Sequence, residues 1–233
     1  MNELLLMIET STECCSVALS RGARILSSRV DETPRQQSAM LAPYIADVLR
    51  EAGLQASDLD AVAVSEGPGS YTGLRVGVST AKGICFGAGK PLIGIDTLQI
   101  LALQANAAAL PGENARFRHI VSMIDARRME VYAAIFDGQA RKVGKTEPVI
   151  LTADSFQEEL RQGPVLFIGT GAAKFRALCP HPNASFQPCF PLAEAMLAPA
   201  LEALQKKEFK DVAYFEPFYL KDFVAGVSKR SVL

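Results

Sequence analysis

The sequence predicts an α/β protein built as two lobes, each a mixed sheet flanked by helices. Three observations carry this. Apolar runs of strand length alternate with longer stretches whose apolar residues recur at helical spacing. The strand, polar turn, strand pattern that opens the chain starts again after a turn-rich break at Pro111-Gly112-Glu113-Asn114. And with 49% of its 233 residues hydrophobic, the chain has enough apolar matter for one large domain or two small lobes, with no need of disulfides.

Leu4 to Ile8 and Cys14 to Leu19 are apolar runs that predict two strands, joined by the polar link Glu9-Thr10-Ser11-Thr12-Glu13. Ala23 to Val30 predicts a third strand after the turn Arg21-Gly22. From Gln37 to Ala52, Met40, Leu41, Tyr44, Ile45, Val48, Leu49 and Ala52 recur at helical spacing, with Pro43 as a kink or a first-turn marker. Ala61 to Val64 is a buried type of strand. The segment Gly67 to Gly73 then leads into a helix from about Thr72, a candidate N-cap, to Phe86. A strand at Pro91 to Ile95 and a helix at Leu98 to Ala109 complete a first lobe, residues 1–110; residues 111–233 form a smaller second lobe with a C-terminal helix and tail.

The second lobe echoes the first. Met7-Ile8-Glu9-Thr10 is matched by Met123-Ile124-Asp125-Ala126, and Val17-Ala18-Leu19 by Ala133-Ala134-Ile135. Gly67-Pro68-Gly69 after one strand is matched by Gly169-Thr170-Gly171 after another, Val165 to Ile168. Both halves thus show a strand, a polar turn carrying one carboxylate and a second strand, with a glycine turn further along the chain.

Composition narrows the function. Lys plus Arg (24) and Asp plus Glu (25) almost cancel, so no mean field draws this chain to a phosphate backbone. Five cysteines, with Cys14 and Cys15 adjacent and no C-x-x-C pair, fit buried thiols in a reducing compartment better than a disulfide framework or zinc knuckle. Met1-Asn2-Glu3 and the short apolar run after it have neither the basic start nor the length of a signal segment or membrane span. The expectation is a cytoplasmic protein.

Backbone N–H groups in glycine- and hydroxyl-rich turns point at anions, and a carboxylate at a strand end can hold a hydrated magnesium ion. Glu9, Thr10, Ser11, Thr12, Gly67, Gly69, Asp125, Gly169 and Gly171 are therefore candidate phosphate-turn residues. The spelling G-x-G-x-x-x-G is neither the dinucleotide fingerprint nor a P-loop. Pro68 removes one donor, and the same glycines equally serve a tight strand-to-helix turn.

The run Gly67-Pro68-Gly69-Ser70-Tyr71-Thr72-Gly73-Leu74-Arg75-Val76-Gly77 resembles the hallmark segment of the TsaB family. Ile8-Glu9-Thr10-Ser11-Thr12, Asp125-Ala126-Arg127 with Glu130-Val131-Tyr132, and Pro217-Phe218-Tyr219-Leu220-Lys221-Asp222 resemble it too, so the likeness spans the chain. The resemblance implies two actin-like lobes of the ASKHA, ribonuclease H-like type. It implies a non-catalytic paralogue of the TsaD enzyme, acting as scaffold or activator in a complex with TsaD and the small ATPase TsaE. That complex transfers a threonylcarbamoyl group to the adenosine beside the anticodon of tRNAs reading codons that begin with A. It further implies a homodimer in isolation and tRNA met only through the complex. From the weak glycine-loop signal and Pro68 within it, ATP or ADP binding by the chain itself is expected to be weak or absent.

TsaD-type enzymes carry a His-x-x-x-His metal pair in the first long helical region; here that region reads Gln36-Gln37-Ser38-Ala39-Met40-Leu41. TsaB relatives often keep one histidine just before the serine, where this chain has Gln37. The two histidines, His119 in an apolar strand and His181 between prolines, lack partners at ligand spacing, so no metal is expected. No residue is assigned as catalytic. Cys14 and Cys15 read as structural, and Arg127 and Arg128 either reach a phosphate or form a solvated turn pair. The apolar face of Leu192, Ala195, Met196, Pro199, Ala200 and Leu204 reads as core. The aromatic tail Phe215 to Phe223 reads as packing on the second lobe or as a partner contact.

The helical stripe Met40, Leu41, Tyr44, Ile45 and Val48, joined by Arg75, Ser79 and Lys82, is the expected partner surface. The small residues Gly73, Gly77, Ser79, Ala81 and Gly83 would let another helix approach. Two other functions stay open. One is a stand-alone nucleotide-dependent transferase or kinase. The other, a metallopeptidase, is disfavoured by the absence of H-E-x-x-H and of any histidine pair.

Overall fold

The computed structural model describes residues 2–34, 36–108 and 117–220. The first lobe's strands are β1 (Leu4–Glu9), β2 (Cys15–Arg21), β3 (Arg24–Asp31), β4 (Ala61–Gly67) and β5 (Leu92–Asp96), in the sheet order β3-β2-β1-β4-β5. The second lobe's are β6 (His119–Asp125), β7 (Glu130–Asp137), β8 (Glu147–Ile150), β9 (Val165–Ile168) and β10 (Ala184–Gln187), in the order β10-β9-β6-β7-β8. In each lobe the first three strands form an antiparallel meander, and the fourth and fifth join parallel on the far side of the first. The two sheets therefore share one strand order, and the echo read from the sequence is a repeated architecture: two mixed, helix-flanked sheets. Met7 pairs with Ala18 and Met123 with Ala133, so the first hairpin is one residue longer than its counterpart.

Both faces of each sheet are covered, which explains why the strands read as continuous apolar runs. On one face of the first sheet Leu6, Ile8, Val17 and Leu19 pack against α1 (Gln37–Glu51) and α2 (Tyr71–Ala88). On the other, Leu5, Met7, Ala63 and Ile93 meet Ile100 of α3 (Thr97–Ala108) and Met196, Ala200 and Ala203 from the last helical segment among the described residues. That segment is a 3-10 turn, Ala193–Met196, running into α6 (Leu197–Lys206). In the second lobe Leu98, Leu101 and Ala102 of α3 cover Ile120, Ala134 and Phe136. The opposite face is an aromatic core of Phe156, Phe167, Phe175 and Phe186, with α4 (Gln157–Gln162) and α5 (Ala172–Arg176) beside it.

The spatial division differs from a cut at residue 110. The boundary turn Pro111 to Asn114 lies outside the described residues. The chain beyond Leu192, assigned by sequence to the second lobe, returns to the first sheet, where Ala193 N donates to the buried Ser16 Oγ at 2.6 Å. The apolar face expected of Met196 and Ala200 is core, but core of the first lobe. Between the lobes Gln104 Nε2 donates to Phe190 O, and Lys142 Nζ pairs with Asp96 Oδ2 at 2.8 Å.

Helix α2 begins one residue earlier than expected. Its N-cap is Ser70, whose hydroxyl accepts from Gly73 N, and not Thr72; its C-cap is the left-handed Gly89. An N-cap has extended backbone and its side chain accepts from the N–H two or three residues further on, a geometry that Ser70 has at φ −61°, ψ 120°. Thr72 lies inside the first turn.

Candidate functional site

Glu9 ends β1 and Asp125 ends β6, so the two carboxylates occupy equivalent places in the two sheets. Beside them β4 ends in Gly67 at φ 107°, and β9 is followed by Gly169 at φ 109°. The left-handed backbone turns the chain sharply from the strand toward the following helix, which a side chain would resist. A β-carbon on Gly69 would lie 2.3 Å from Ser11 O, and one on Gly169 2.3 Å from Met123 O. The glycines thus serve close approach of each glycine turn to its neighbouring hairpin.

The first turn is sealed. Glu9, Thr10 and Ser11 have no exposure, and Thr12 has 6%. Ser11 N donates to Glu9 Oε1 at 2.5 Å, Ser70 N donates to Ser11 O at 2.6 Å, and Gln37 Nε2 donates to Thr12 O at 2.7 Å. Gln37 ties the start of α1 to this turn. Thr10 Oγ1 donates to Gly73 O at 2.8 Å. Glu9 Oε2, Ser11 Oγ and Thr12 Oγ1 are buried without a hydrogen-bond partner. Burial pushes the Glu9 carboxyl up to about 7, against the opposing pull of its bonds to Ser11 and Ser65. A carboxyl whose charged form is disfavoured by burial is a poor anchor for a cation.

The second turn is open but neutralised. Asp125 Oδ1 accepts from Arg127 N and from Lys174 Nζ, each at 2.6 Å, and Asp125 N donates to Thr170 Oγ1 at 3.0 Å. Lys174 also donates to Arg128 O at 2.6 Å. Ser65, Ser70, Thr170 and Lys174 were not singled out by sequence, because nothing in their spacing relates them to the two carboxylates; only the pairing of β4 with β1 and β9 with β6 does. Cys14 and Cys15 are buried, and desolvation pushes each thiol up to about 12, as inert structural residues require. His119 Nε2 lies 3.0 Å from Gln162 Oε1, and His181 Nδ1 accepts from Asn183 N, both structural uses.

The expected partner stripe needs correction. Leu41, Ile45 and Val48 are buried in the first lobe's own core, at 1%, 7% and 0% exposure, and Met40 and Tyr44 are half-buried. The stripe is no wider than the sheet beneath it. Gly73, Gly77 and Ala81 also face inward. What α1 turns outward is Ala39, Ala42, Pro43 and Ala46; what α2 turns outward is Arg75, Ser79, Gly83 and Phe86, the last 86% exposed. Arg75 and Ser79 thus stand on the outer face as expected.

Lys82 is engaged within the chain. Its Nζ donates to Ala213 O at 3.1 Å and Phe215 O at 3.0 Å, which holds residues 211–219 as a strap along α2. Phe218 N donates to Glu66 O, Lys210 Nζ pairs with Glu66 Oε2, and the Tyr219 ring lies 4.9 Å from that of Tyr71, over which Arg75 stacks. The aromatic tail therefore packs on the first lobe, not the second, as far as Leu220; Lys221 to Phe223 lie outside the described residues. The second lobe's aromatic core is already closed by four of its own rings, whereas β4 and α2 leave a flank to cover. A cavity of about 270 Å³ bordered by Gly94, Gln99, Glu202 and Lys210 takes no residue from either carboxylate turn.

Residues 30–229 match the family described as TsaD, tRNA N6-adenosine threonylcarbamoyltransferase. The chain is 31% identical to the tRNA threonylcarbamoyladenosine biosynthesis protein TsaB of Escherichia coli, over 95% of this chain and 96% of that one. It is 32% identical to the Haemophilus influenzae protein of the same name, over 96% and 95%. Among solved structures it is similar to YeaZ from Pseudomonas aeruginosa, with a TM-score of 0.81 at 30% identity, covering 94% of this chain and all of that one.

Proposed function

The chain belongs to the TsaB family, and from that membership we propose that it is a non-catalytic subunit in the synthesis of threonylcarbamoyladenosine in tRNA. It pairs with a TsaD-type homologue that performs the transfer, works with a TsaE-type ATPase, and meets tRNA through that assembly in the cytoplasm. No helix among the described residues is long and apolar enough to cross a membrane.

The observation that supports pairing is the outer face of α1 and α2. Ala39, Ala42, Ala46, Ser79 and Gly83 are small and exposed, and Phe86 stands out from the end of the same α2 face. Small residues let helices from another chain approach closely, and a two-helix face is complementary to its own copy or to that of a homologue. The same face thus accounts for a homodimer in isolation and a heterodimer in the assembly. ATP binding by this chain alone is weak or absent in this reading. A sealed Glu9 whose charged form is disfavoured by burial and an Asp125 already paired with Lys174 leave little to attract a magnesium nucleotide.

Reconstitution tests it. With candidate TsaD and TsaE proteins, this chain should co-purify and be required for modification of tRNA, and alone it should modify nothing. Modification by the chain alone, or undiminished modification without it, would overturn the assignment.

A further inference from the structure

Four consecutive buried residues, Glu9 to Thr12, touch the first turns of both helices of the pairing face. On the α1 side, Gln37 Nε2 donates to Thr12 O at 2.7 Å. On the α2 side, the N-cap residue Ser70 donates its N–H to Ser11 O at 2.6 Å, and Thr10 Oγ1 donates to Gly73 O at 2.8 Å. The turn is itself braced from below, since Ser11 N donates to Glu9 Oε1 at 2.5 Å and Thr10 N reaches Ser65 Oγ of β4 at 3.5 Å.

The two attachments differ in stiffness. Gly69, Gly73 and Gly77 present bare backbone to the turn, and a β-carbon on them would run into Ser11 O, Thr10 O and Thr10 Oγ1 respectively. No side chain lies between to give way, so in a close-packed interior α2 follows any displacement of the turn. Helix α1 is tied to the turn by the Gln37 side chain, and its Leu41, Ile45 and Val48 are fixed in the core. Neither tie lies on the outer face. Thr10 has no exposure, and Gln37 is half-buried one turn before the inward-facing Leu41.

We propose that the turn Glu9 to Thr12 is the positioning block of the pairing face. Through Thr10 and Gln37 it fixes how α1 and α2 stand against each other, and with that the affinity for a TsaD-type homologue. This rests on the reading that the outer faces of the two helices pair. A face of small residues such as Ala39, Ala42, Ser79 and Gly83 is recognised by close fit, so the relative placement of the two helices decides whether a partner helix seats. A face held in that placement before the partner arrives binds with less cost of ordering. The turn thus acts on binding from the interior, without touching the partner.

The test measures affinity of the full chain for its TsaD-type partner by calorimetry, and melting by circular dichroism. Thr10→Val keeps the shape and removes the hydroxyl, whereas Thr10→Ser keeps the hydroxyl. Gln37→Met keeps the length and removes the amide. Val121→Ala thins the second lobe's core and lowers melting without touching the turn. Thr10→Val and Gln37→Met should each weaken pairing by at least about fivefold, the lower end of coupling between separate sites. Thr10→Ser and Val121→Ala should pair as the parent does. If Thr10→Val fails to fold, Gln37→Met, at a half-buried helix end, decides. Pairing by the folded variants as tight as the parent's overturns the proposal and leaves the pairing reading standing. An equal loss in Val121→Ala also overturns it, since the effect is then one of general stability. A parent that does not pair overturns both.

Discussion

The Thr10 hydroxyl sits where a side chain at Gly77 would have to go: a β-carbon there would lie 2.2 Å from Thr10 Oγ1. Helix α2 thus rests backbone-first on the turn that follows β1, and Thr10 Oγ1 secures it by donating to Gly73 O. Gly77→Ala should cost about 1–3 kcal/mol by overpacking, read as a fall in urea midpoint. Thr10→Ala in the same chain should recover part of that loss. Gly83→Ala is the control. Nothing lies within 4 Å of its added carbon, so it should stabilise by about 0.5–1 kcal/mol.

Glu9 gives a pH dependence of definite sign. Its folded pKa of about 7 lies above the ordinary 4.5 because burial disfavours the charged form. The fold therefore binds this proton more tightly than the unfolded chain does. The stability from the neutral carboxyl is fully present below pH 4.5 and is lost as pH rises to about 7, to a total of about 3 kcal/mol. Glu9→Gln should flatten this part of the stability profile and raise the midpoint at pH 8. An unchanged profile between pH 4.5 and 7 would mean that Glu9 is ionised in the fold.

The pairing face is tested where it is exposed. Ala42→Glu with Ser79→Glu places two charges on the outer surfaces of α1 and α2, where an unpaired chain tolerates them. At an interface each would be desolvated at a cost of a few kcal/mol, about enough to abolish co-elution with a TsaD-type partner. Light scattering and circular dichroism should show a folded chain that no longer pairs. Val48→Glu is no substitute, since Val48 is fully buried and the variant would unfold the first lobe.

One ammonium group anchors the middle of the strap. Lys82→Met removes both donations to the carbonyls flanking Tyr214, whose side chain is 85% exposed. Chymotrypsin cleavage after Tyr214 should speed up several-fold, with the melting temperature little changed. Equal cleavage rates would show that the Tyr71 and Tyr219 stack and the Glu66 contacts suffice.

Much of this was legible from the residues. The two carboxylate turns, the two glycine turns and nearly every strand followed from apolar runs bounded by turn residues, because local chain stiffness and burial on both faces write themselves into sequence. The direction of a helix face did not. Leu41, Ile45 and Val48 form an apolar stripe whether they meet their own sheet or a partner, and only the sheet's width, a tertiary quantity, decides. Gly73 and Gly77 misled for the same reason: small residues permit close approach without saying by what. The strap's destination was equally hidden, since Lys82 and Ala213 are joined across 131 positions by one hydrogen bond.

The return of α6 to the first sheet bears on how the chain is born. The surface formed by Leu5, Met7, Ala63 and Ile93 is finished by Met196, Ala200 and Ala203, which leave the ribosome more than a hundred residues later. Until then the nascent first lobe carries an uncovered apolar face, which makes it a client for chaperones during synthesis. The first sheet's second face is thus completed by residues 193–206 and not by its own strands alone.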